Sequence, residues 1–279
     1  MEQRTLDVGG RSRTYWMAGP PRPDVPLLIV LHGTGLDGNR MAEWTGLGTR
    51  GAEAGFDVVF PDAVDRIWDD VGGARPDGID DDGFMAALAS ELRRDGGRVF
   101  LVGLSNGAFF AEHLARHGVV PATGIALVAG TARAASRERR PVPAQRAAAL
   151  LIAGTGDRAV PYGGGAPSGL MARLARRRGR AAFGTTAGRE TVAVESVAAD
   201  WVSANGCGAT PAIQPAEAAG VERLTWSDEE GPRVVLYRIE GGGHGWPGGP
   251  QYAPPFLVGR ISRDFDATGA ILDFAAASS

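Results

Sequence analysis

Short runs of apolar residues recur along the chain, and most are followed by glycine, proline or aspartate and then by a stretch with helical spacing. Such runs are typical of parallel strands covered on both faces. We expect strands at Leu27–Leu31, Val58–Phe60, Val99–Val102, Ile125–Val128, Leu150–Ala153 and Val234–Ile239. Helical patterns lie at residues 41–54, 84–89, 108–114, 192–205 and 266–275. This alternation predicts an α/β fold with a doubly wound, mostly parallel sheet.

The N-terminal residues follow a different pattern, which predicts an antiparallel hairpin. Two strand-like runs, Thr5–Val8 and Arg13–Met17, flank the pair Gly9-Gly10, and glycines between two such runs are typical of a β-turn. No internal repeat follows. The chain has 279 residues, of which 44% are hydrophobic, so we expect a single domain over residues 1–279 with a complete core.

Composition and charge narrow the range of partners. The formal net charge is -3 and all 29 basic residues are arginine, which gives no indication of nucleic-acid binding. The one cysteine, Cys207, excludes an intrachain disulfide and has no neighbours with metal-ligand spacing. The N-terminus has no apolar signal region and no run is long enough for a membrane span. We therefore expect no membrane association, and a cytoplasmic protein as the sequence stands or a secreted one if a leader has been removed.

The pentapeptide Gly103-Leu104-Ser105-Asn106-Gly107 has the form G-x-S-x-G and lies between an apolar run and a helical pattern. A strand, a sharp turn and a helix in this order expose a serine hydroxyl above the sheet. The glycines let two backbone segments approach where a Cβ would not fit. The sequence predicts that Ser105 is a nucleophile. The alternative is a tight turn in which Ser105 caps the helix.

A nucleophilic serine needs a general base, and His244 is the strongest candidate among four histidines. It lies in the stretch Gly241–Gly249, which contains too much glycine for a helix or strand and is expected to be a loop. His113 and His117 lie on the helix after Ser105, and His32 ends a strand. We expect structural roles for these three.

The base in turn needs an acid that fixes its tautomer, and Asp157 is the candidate. It follows the strand Leu150–Ala153, at the edge of the sheet where Ser105 also emerges. The alternative is an aspartate that only caps a turn. Ser105, Asp157 and His244 have the chain order of an α/β-hydrolase triad.

Acyl transfer also requires donors for a developing oxyanion. We expect the backbone N–H groups of Asn106, the residue after the nucleophile, and of Thr34, in the loop after the first apolar strand, with Gly35 as the alternative to Thr34. Two tryptophans are candidates for substrate binding. Trp246 lies two residues after His244, and Trp68 lies in the loop after Val58–Phe60, where it either contacts substrate or anchors the loop.

Several motifs together resemble one family. They are Leu31-His32-Gly33, Asp81–Phe84, Gly103–Gly107, Gly154–Asp157 with Val160–Tyr162, Trp201 with Asn205–Cys207, and Gly241–Gly248. In this order they resemble the α/β-hydrolase esterases that include poly(3-hydroxybutyrate) depolymerases and feruloyl esterases. The resemblance implies hydrolysis of a small-molecule or oligomeric carboxylic ester through an acyl-enzyme, with no metal or other cofactor.

Two other functions stay open from the sequence alone. A serine peptidase or amidase would use the same residues, and a non-catalytic binding protein on a hydrolase scaffold would show the loss of a triad member, which is not seen here. Residues 163–190 also have two interpretations. Their basic amphipathic stretch, 170–178, is either a solvated surface insertion or a flap over the active site.

Overall fold

The computed structural model describes residues 1–72, 78–93, 97–166, 190–216 and 218–278. In these residues ten strands form one sheet with the order β1-β2-β4-β3-β5-β6-β7-β10-β9-β8. The strands are β1 (Glu2–Val8), β2 (Arg11–Met17), β3 (Leu27–Leu31), β4 (Asp57–Pro61), β5 (Val99–Leu104), β6 (Gly124–Val128), β7 (Ala148–Gly154), β8 (Ala212–Pro215), β9 (Val221–Asp228) and β10 (Gly231–Ile239).

The described helices are α1 (Gly38–Thr45), α2 (Leu47–Glu53), α3 (Asp81–Leu92), α4 (Asn106–His117), α5 (Ala134–Arg139), α6 (Val194–Asn205), α7 (Pro255–Val258) and α8 (Ala267–Ala277). A 3-10 turn covers Val64–Arg66. No helix in these ranges combines the length and the apolar character needed to cross a bilayer. Most of residues 163–190, including the basic stretch 170–178, lies outside the described part of the chain.

Six strands in the middle of the sheet, β4, β3, β5, β6, β7 and β10, are parallel to one another. The N-terminal pair β1 and β2 is antiparallel, and β2 pairs antiparallel with β4. The predicted fold class is therefore confirmed: this is an α/β-hydrolase fold with an antiparallel hairpin at its start. Because the central strands are parallel, the loops after β3, β5, β7 and β10 all leave the sheet at one edge.

Successive side chains along the parallel strands point to two different cores. In β3, Leu27, Ile29 and Leu31 belong to one apolar cluster, while Leu28 and Val30 belong to the other. Helices α3, α4 and α6 cover the first face, and α1, α2 and α8 cover the second. Burial on both faces explains why the strands read as continuous apolar runs.

The structure differs from the sequence prediction at several places, among them a divided helix, the unpredicted short helices α5 and α7, and two unpredicted strands. The helix expected over residues 41–54 is two helices, because Gly46 adopts a left-handed conformation (φ 64°) that ends α1 and starts α2. Strands β8 and β9 were not predicted. All four residues of β8 are exposed. In β9, more accessible polar residues separate the buried Val221, Leu224 and Trp226, so neither strand forms a continuous apolar run.

Candidate active site

Ser105 lies in a strained turn between β5 and α4. Its backbone has φ 55° and ψ -117°, a conformation that L residues rarely adopt and that costs on the order of 1–3 kcal/mol. The Ser105 N–H donates to the Val128 carbonyl at 2.9 Å, which ties the turn to the end of β6. The side chain is partly accessible, although the residues around it are buried. The turn therefore presents the hydroxyl at the edge of the sheet, as the motif predicts.

Two glycines allow the turn to close. A Cβ on Gly103 would overlap the backbone of Gly107, and a Cβ on Gly107 would overlap the carbonyl groups of Leu31 and His32. The turn thus packs directly against the end of β3, and the motif's glycines are required by this close approach rather than by a positive φ.

A Gly107→Ala variant is expected to lose about 1–3 kcal/mol of stability, because the new methyl group must push the turn away from β3. Ser105 would move with the turn, so any activity that depends on it should fall as well. Thermal melting and an activity assay test this. Gly208→Ala is the control, because nothing lies within 4 Å of a Cβ there; equal effects in the two variants would contradict the account.

The structure brings Ser105, His244 and Asp157 into one hydrogen-bonded chain. His244 Nδ1 lies 2.7 Å from Asp157 Oδ2, and His244 Nε2 lies 2.9 Å from Ser105 Oγ. A carboxylate can only accept, so Nδ1 carries the proton and the unprotonated Nε2 accepts from the serine hydroxyl. This is the arrangement in which a histidine can remove the hydroxyl proton as the oxygen attacks.

The acid and the base are held by their own loops. The other carboxylate oxygen of Asp157 accepts the N–H groups of Ala159 and Val160, both at 2.8 Å. The His244 N–H donates to the Val258 carbonyl at 2.6 Å. The side chains of His244 and Asp157 are only 8% and 3% exposed, so their hydrogen bond is shielded from water.

The loop after β3 lies beside the serine and offers a free donor. A Cβ on Gly33 would be 3.5 Å from the Ser105 Cβ, so this loop and the turn are in contact. The alternative donor, the Gly35 N–H, already donates to the Arg66 carbonyl at 2.9 Å. Among the described residues, no protein acceptor takes the N–H of Thr34 or of Asn106. Both N–H groups are therefore free to donate to a ligand.

His32 braces the loop that follows it. Its ring is buried between the Gly33 carbonyl, 2.9 Å from Nδ1, and the Ala63 N–H, 3.0 Å from Nε2. The carbonyl requires a protonated Nδ1 and the N–H requires an unprotonated Nε2, so the ring is neutral. Burial lowers the pKa of His32, which favours the same state.

A second Asp–His–Ser contact lies on the α3, α4 and α5 side of the sheet. His113 Nε2 is 3.0 Å from Asp82, and His113 Nδ1 is 3.4 Å from Ser136. Ser136 is fully buried inside a helix, where no substrate can reach it, and it also contacts His117 Nε2 at 3.1 Å. Burial and the neighbouring His113 hold the pKa of His117 at about 4, so this ring is neutral. The contact is structural. It provides two matched controls, Ser136 for Ser105 and Asp82 for Asp157.

The placement of the two tryptophans does not favour contact with substrate, and for Trp68 it agrees with the alternative of a loop anchor. Trp68 is 1% exposed, stacks on Phe110 and donates to the His32 carbonyl at 3.1 Å. Trp246 is 2% exposed and donates to Thr268 Oγ1 at 3.0 Å. Both indole N–H groups thus have buried protein partners. Trp68 anchors its loop, and Trp246 fixes the histidine loop to α8.

An aromatic side chain that the sequence analysis missed lies beside the histidine loop. The ring of Tyr252 is 42% exposed and packs against Trp44 with ring centres 5.3 Å apart. Its Cε1 would be 3.4 Å from a Cβ on Gly245, the residue after the base. Partial desolvation against the surrounding loops and the Asp157 charge raise the pKa of Tyr252, so the phenol stays protonated. Only the alternation of proline and aromatic residues after 250 indicated this segment.

Comparison with known proteins agrees with the fold. No protein-family model matches the chain. It is 29% identical over 294 residues to "Putative esterase NocK" of Nocardia uniformis subsp. tsuyamanensis, an alignment that covers 97% of this chain and 81% of that protein. The acetyl xylan esterase from Aspergillus awamori superposes with a TM-score of 0.56 at 12% identity, over 88% of this chain and 94% of that one. A "predicted CIB-like hydrolase" from Thermoplasma acidophilum gives 0.52 at 15% identity, over 98% and 97%.

Proposed function

We propose that this chain is a serine esterase that hydrolyses carboxylic esters through an acyl-enzyme. The observation that carries the proposal is the hydrogen-bonded chain from Asp157 through His244 to Ser105, placed at a strained strand-to-helix turn. No other described serine combines that backbone strain, an accessible hydroxyl and a histidine within hydrogen-bond distance.

In the proposed reaction, Ser105 Oγ attacks the ester carbonyl carbon while His244 Nε2 takes the hydroxyl proton. The carbonyl oxygen becomes an oxyanion, which accepts the backbone N–H groups of Asn106 and Thr34. Collapse of this intermediate breaks the bond to the alcohol, which leaves with the proton from His244. Water then repeats the sequence on the acyl-enzyme, releases the carboxylic acid and restores Ser105.

Similarity favours an ester rather than an amide as the substrate. The relative from Nocardia uniformis and the structural neighbour from Aspergillus awamori both carry esterase in their names. The sequence motifs extend the proposal to short-chain acyl, hydroxycinnamoyl or polyester substrates, the types linked with feruloyl esterases and poly(3-hydroxybutyrate) depolymerases.

A cleft lies beside the acid and base loops, although no triad side chain lines it. It has a volume of about 410 Å³ and includes Gly156, next to the acid, and the exposed ring of Phe256. A cavity of this size holds a small ligand, since such sites typically occupy about 300–1,000 Å³.

A panel of substrates tests the proposed function. We expect turnover of p-nitrophenyl esters from acetate to octanoate, with methyl ferulate and a soluble 3-hydroxybutyrate oligomer identifying the acyl type. A matched p-nitroanilide should react at least about 100-fold more slowly, because an amine leaves less readily than a phenolate. Faster turnover of the anilide would instead identify a peptidase or amidase.

Chelation provides a separate test of the chemistry. The proposed steps use only the serine, the histidine, the aspartate and backbone N–H groups, so activity should be unchanged after incubation with excess EDTA. The described residues contain no cluster of three histidine, cysteine or acidic side chains placed to bind a metal ion. Activity that is lost on chelation and restored by one metal would contradict the proposed mechanism.

A further inference from the structure

The side chain of Asn106 is fully engaged beneath the serine turn. It is 2% exposed, and its Oδ1 accepts a hydrogen bond from the backbone N–H of Trp68 at 2.8 Å. Its Nδ2 group donates to the Trp68 carbonyl at 3.2 Å and to Asp70 Oδ2 at 3.0 Å. Both amide protons and the amide oxygen are thus used within one short loop, which fixes the orientation of this side chain.

Asp70 is fixed in turn by a buried arginine. Its Oδ2 also accepts from Arg133 Nε at 2.9 Å and from Arg133 Nη2 at 2.7 Å, and the two side chains are only 0% and 6% exposed. The Arg133 guanidinium lies over the Phe109 ring, 3.7 Å from its centre. Since Phe109 and Asn106 are both in the first turn of α4, the ion pair contacts this turn twice.

A buried ion pair is a weak source of stability, because desolvation of the two charges offsets most of their attraction. Here the pair lies behind Asn106. The backbone N–H of this residue is the donor that α4 contributes to the proposed oxyanion site. The neighbouring Ser105 holds a strained backbone conformation, which persists only when surrounding contacts enforce it. The location therefore indicates a role in fixing geometry.

We infer that Asp70 and Arg133 are positioning residues, which act through the Asn106 side chain to aim the Asn106 N–H at the developing oxyanion. We call these three side chains the Asn106 clamp. The inference rests on the proposed function, since it assigns the clamp to the same reaction. It differs from the triad in that none of its side chains touches the reacting atoms.

The clamp predicts a specific kinetic change when it is released. Asn106→Ala keeps the backbone N–H but removes all three side-chain hydrogen bonds, and Asp70→Asn removes the charge that holds Arg133. Because small displacements of catalytic groups have large effects on rate, each variant should lower kcat for p-nitrophenyl acetate by about 10- to 100-fold, with KM changed less than about threefold. Labelling by a fluorophosphonate should slow by a similar factor, because its phosphoryl oxygen occupies the same oxyanion site.

The control is Arg116→Gln, which disrupts another fully buried arginine, paired with Glu112 and Asp200. Arg116 lies ten residues further along α4, about 15 Å from Asn106 at the helical rise per residue. This variant should lower the melting temperature as much as the clamp variants do, with kcat and the labelling rate within about twofold of wild type. Asn106→Ala leaves the Asp70–Arg133 pair intact, so this variant still tests the positioning role if Asp70→Asn does not fold.

The outcomes separate the clamp from the proposed function. Folded clamp variants with wild-type kcat and labelling rates, or with a changed KM alone, overturn the positioning role and leave the esterase proposal standing. A wild-type protein that reacts with neither esters nor the fluorophosphonate overturns the proposed function and the clamp with it. Slow variants, a control near the wild-type rate and normal labelling of wild type together support the clamp.

Discussion

Replacement of Ser105 by alanine is expected to reduce ester turnover by about 10^6-fold, the effect of removing the nucleophile from a comparable triad. The fold should survive, because only a hydroxyl group is removed and the strained turn is held by backbone contacts, including the Ser105 N–H to Val128 hydrogen bond. The measurement is kcat for p-nitrophenyl acetate, together with a melting curve for each protein.

Ser136→Ala is the matched control for this substitution. Ser136 also has hydrogen bonds to histidines, yet it is buried inside α5 rather than accessible in a strained turn. We expect activity within about threefold of wild type. A Ser105→Ala protein that kept a tenth of the wild-type rate, or a Ser136→Ala protein that lost its activity, would contradict the assignment of the nucleophile.

Replacement of Asp157 by asparagine is expected to lower kcat by about 10^4-fold. An amide at this position donates to His244 Nδ1, which forces the ring proton onto Nε2, where it can no longer accept from Ser105. The geometry should change little because the two side chains have the same shape. The rate of acyl-enzyme formation, measured in a stopped-flow burst, tests this step directly.

The control here is Asp82→Asn, which changes the carboxylate on His113 rather than on His244. Because that pair lies away from Ser105, activity should stay within about threefold of wild type. Equal losses from the two aspartate variants would show that the effect comes from general destabilisation and not from the tautomer of the base.

The features predicted well from the sequence are those fixed by local patterns. The parallel strands are buried on both faces, so each is a continuous apolar run, and the residues that follow β5, β7 and β10 must then lie at one edge of the sheet. This topology places Ser105, Asp157 and His244 at the same edge, where the loops that carry them bring the side chains into contact. Strand β9 was not predicted because it is partly accessible, and polar residues interrupt its buried apolar positions.

Features that depend on contacts distant in sequence could not be predicted. The sequence places Trp246 two positions from His244, but only the packing around α8 shows that its ring points into the core. The hydrogen bond between Asp70 and Asn106 joins residues 36 positions apart, and the one between Asp70 and Arg133 joins residues 63 positions apart. No local pattern marks such a set, because each residue alone is compatible with an ordinary loop or helix start.

The most direct test of the central claim is identification of the residue that a fluorophosphonate modifies. The protein is incubated with the reagent, the intact mass is measured, and the modified peptide is sequenced by tandem mass spectrometry. We predict one phosphonyl group per chain, bonded to Ser105 Oγ with loss of fluoride, and a parallel loss of esterase activity. A label on Ser136 or on any residue other than Ser105, or full inactivation without a label on Ser105, would contradict the account.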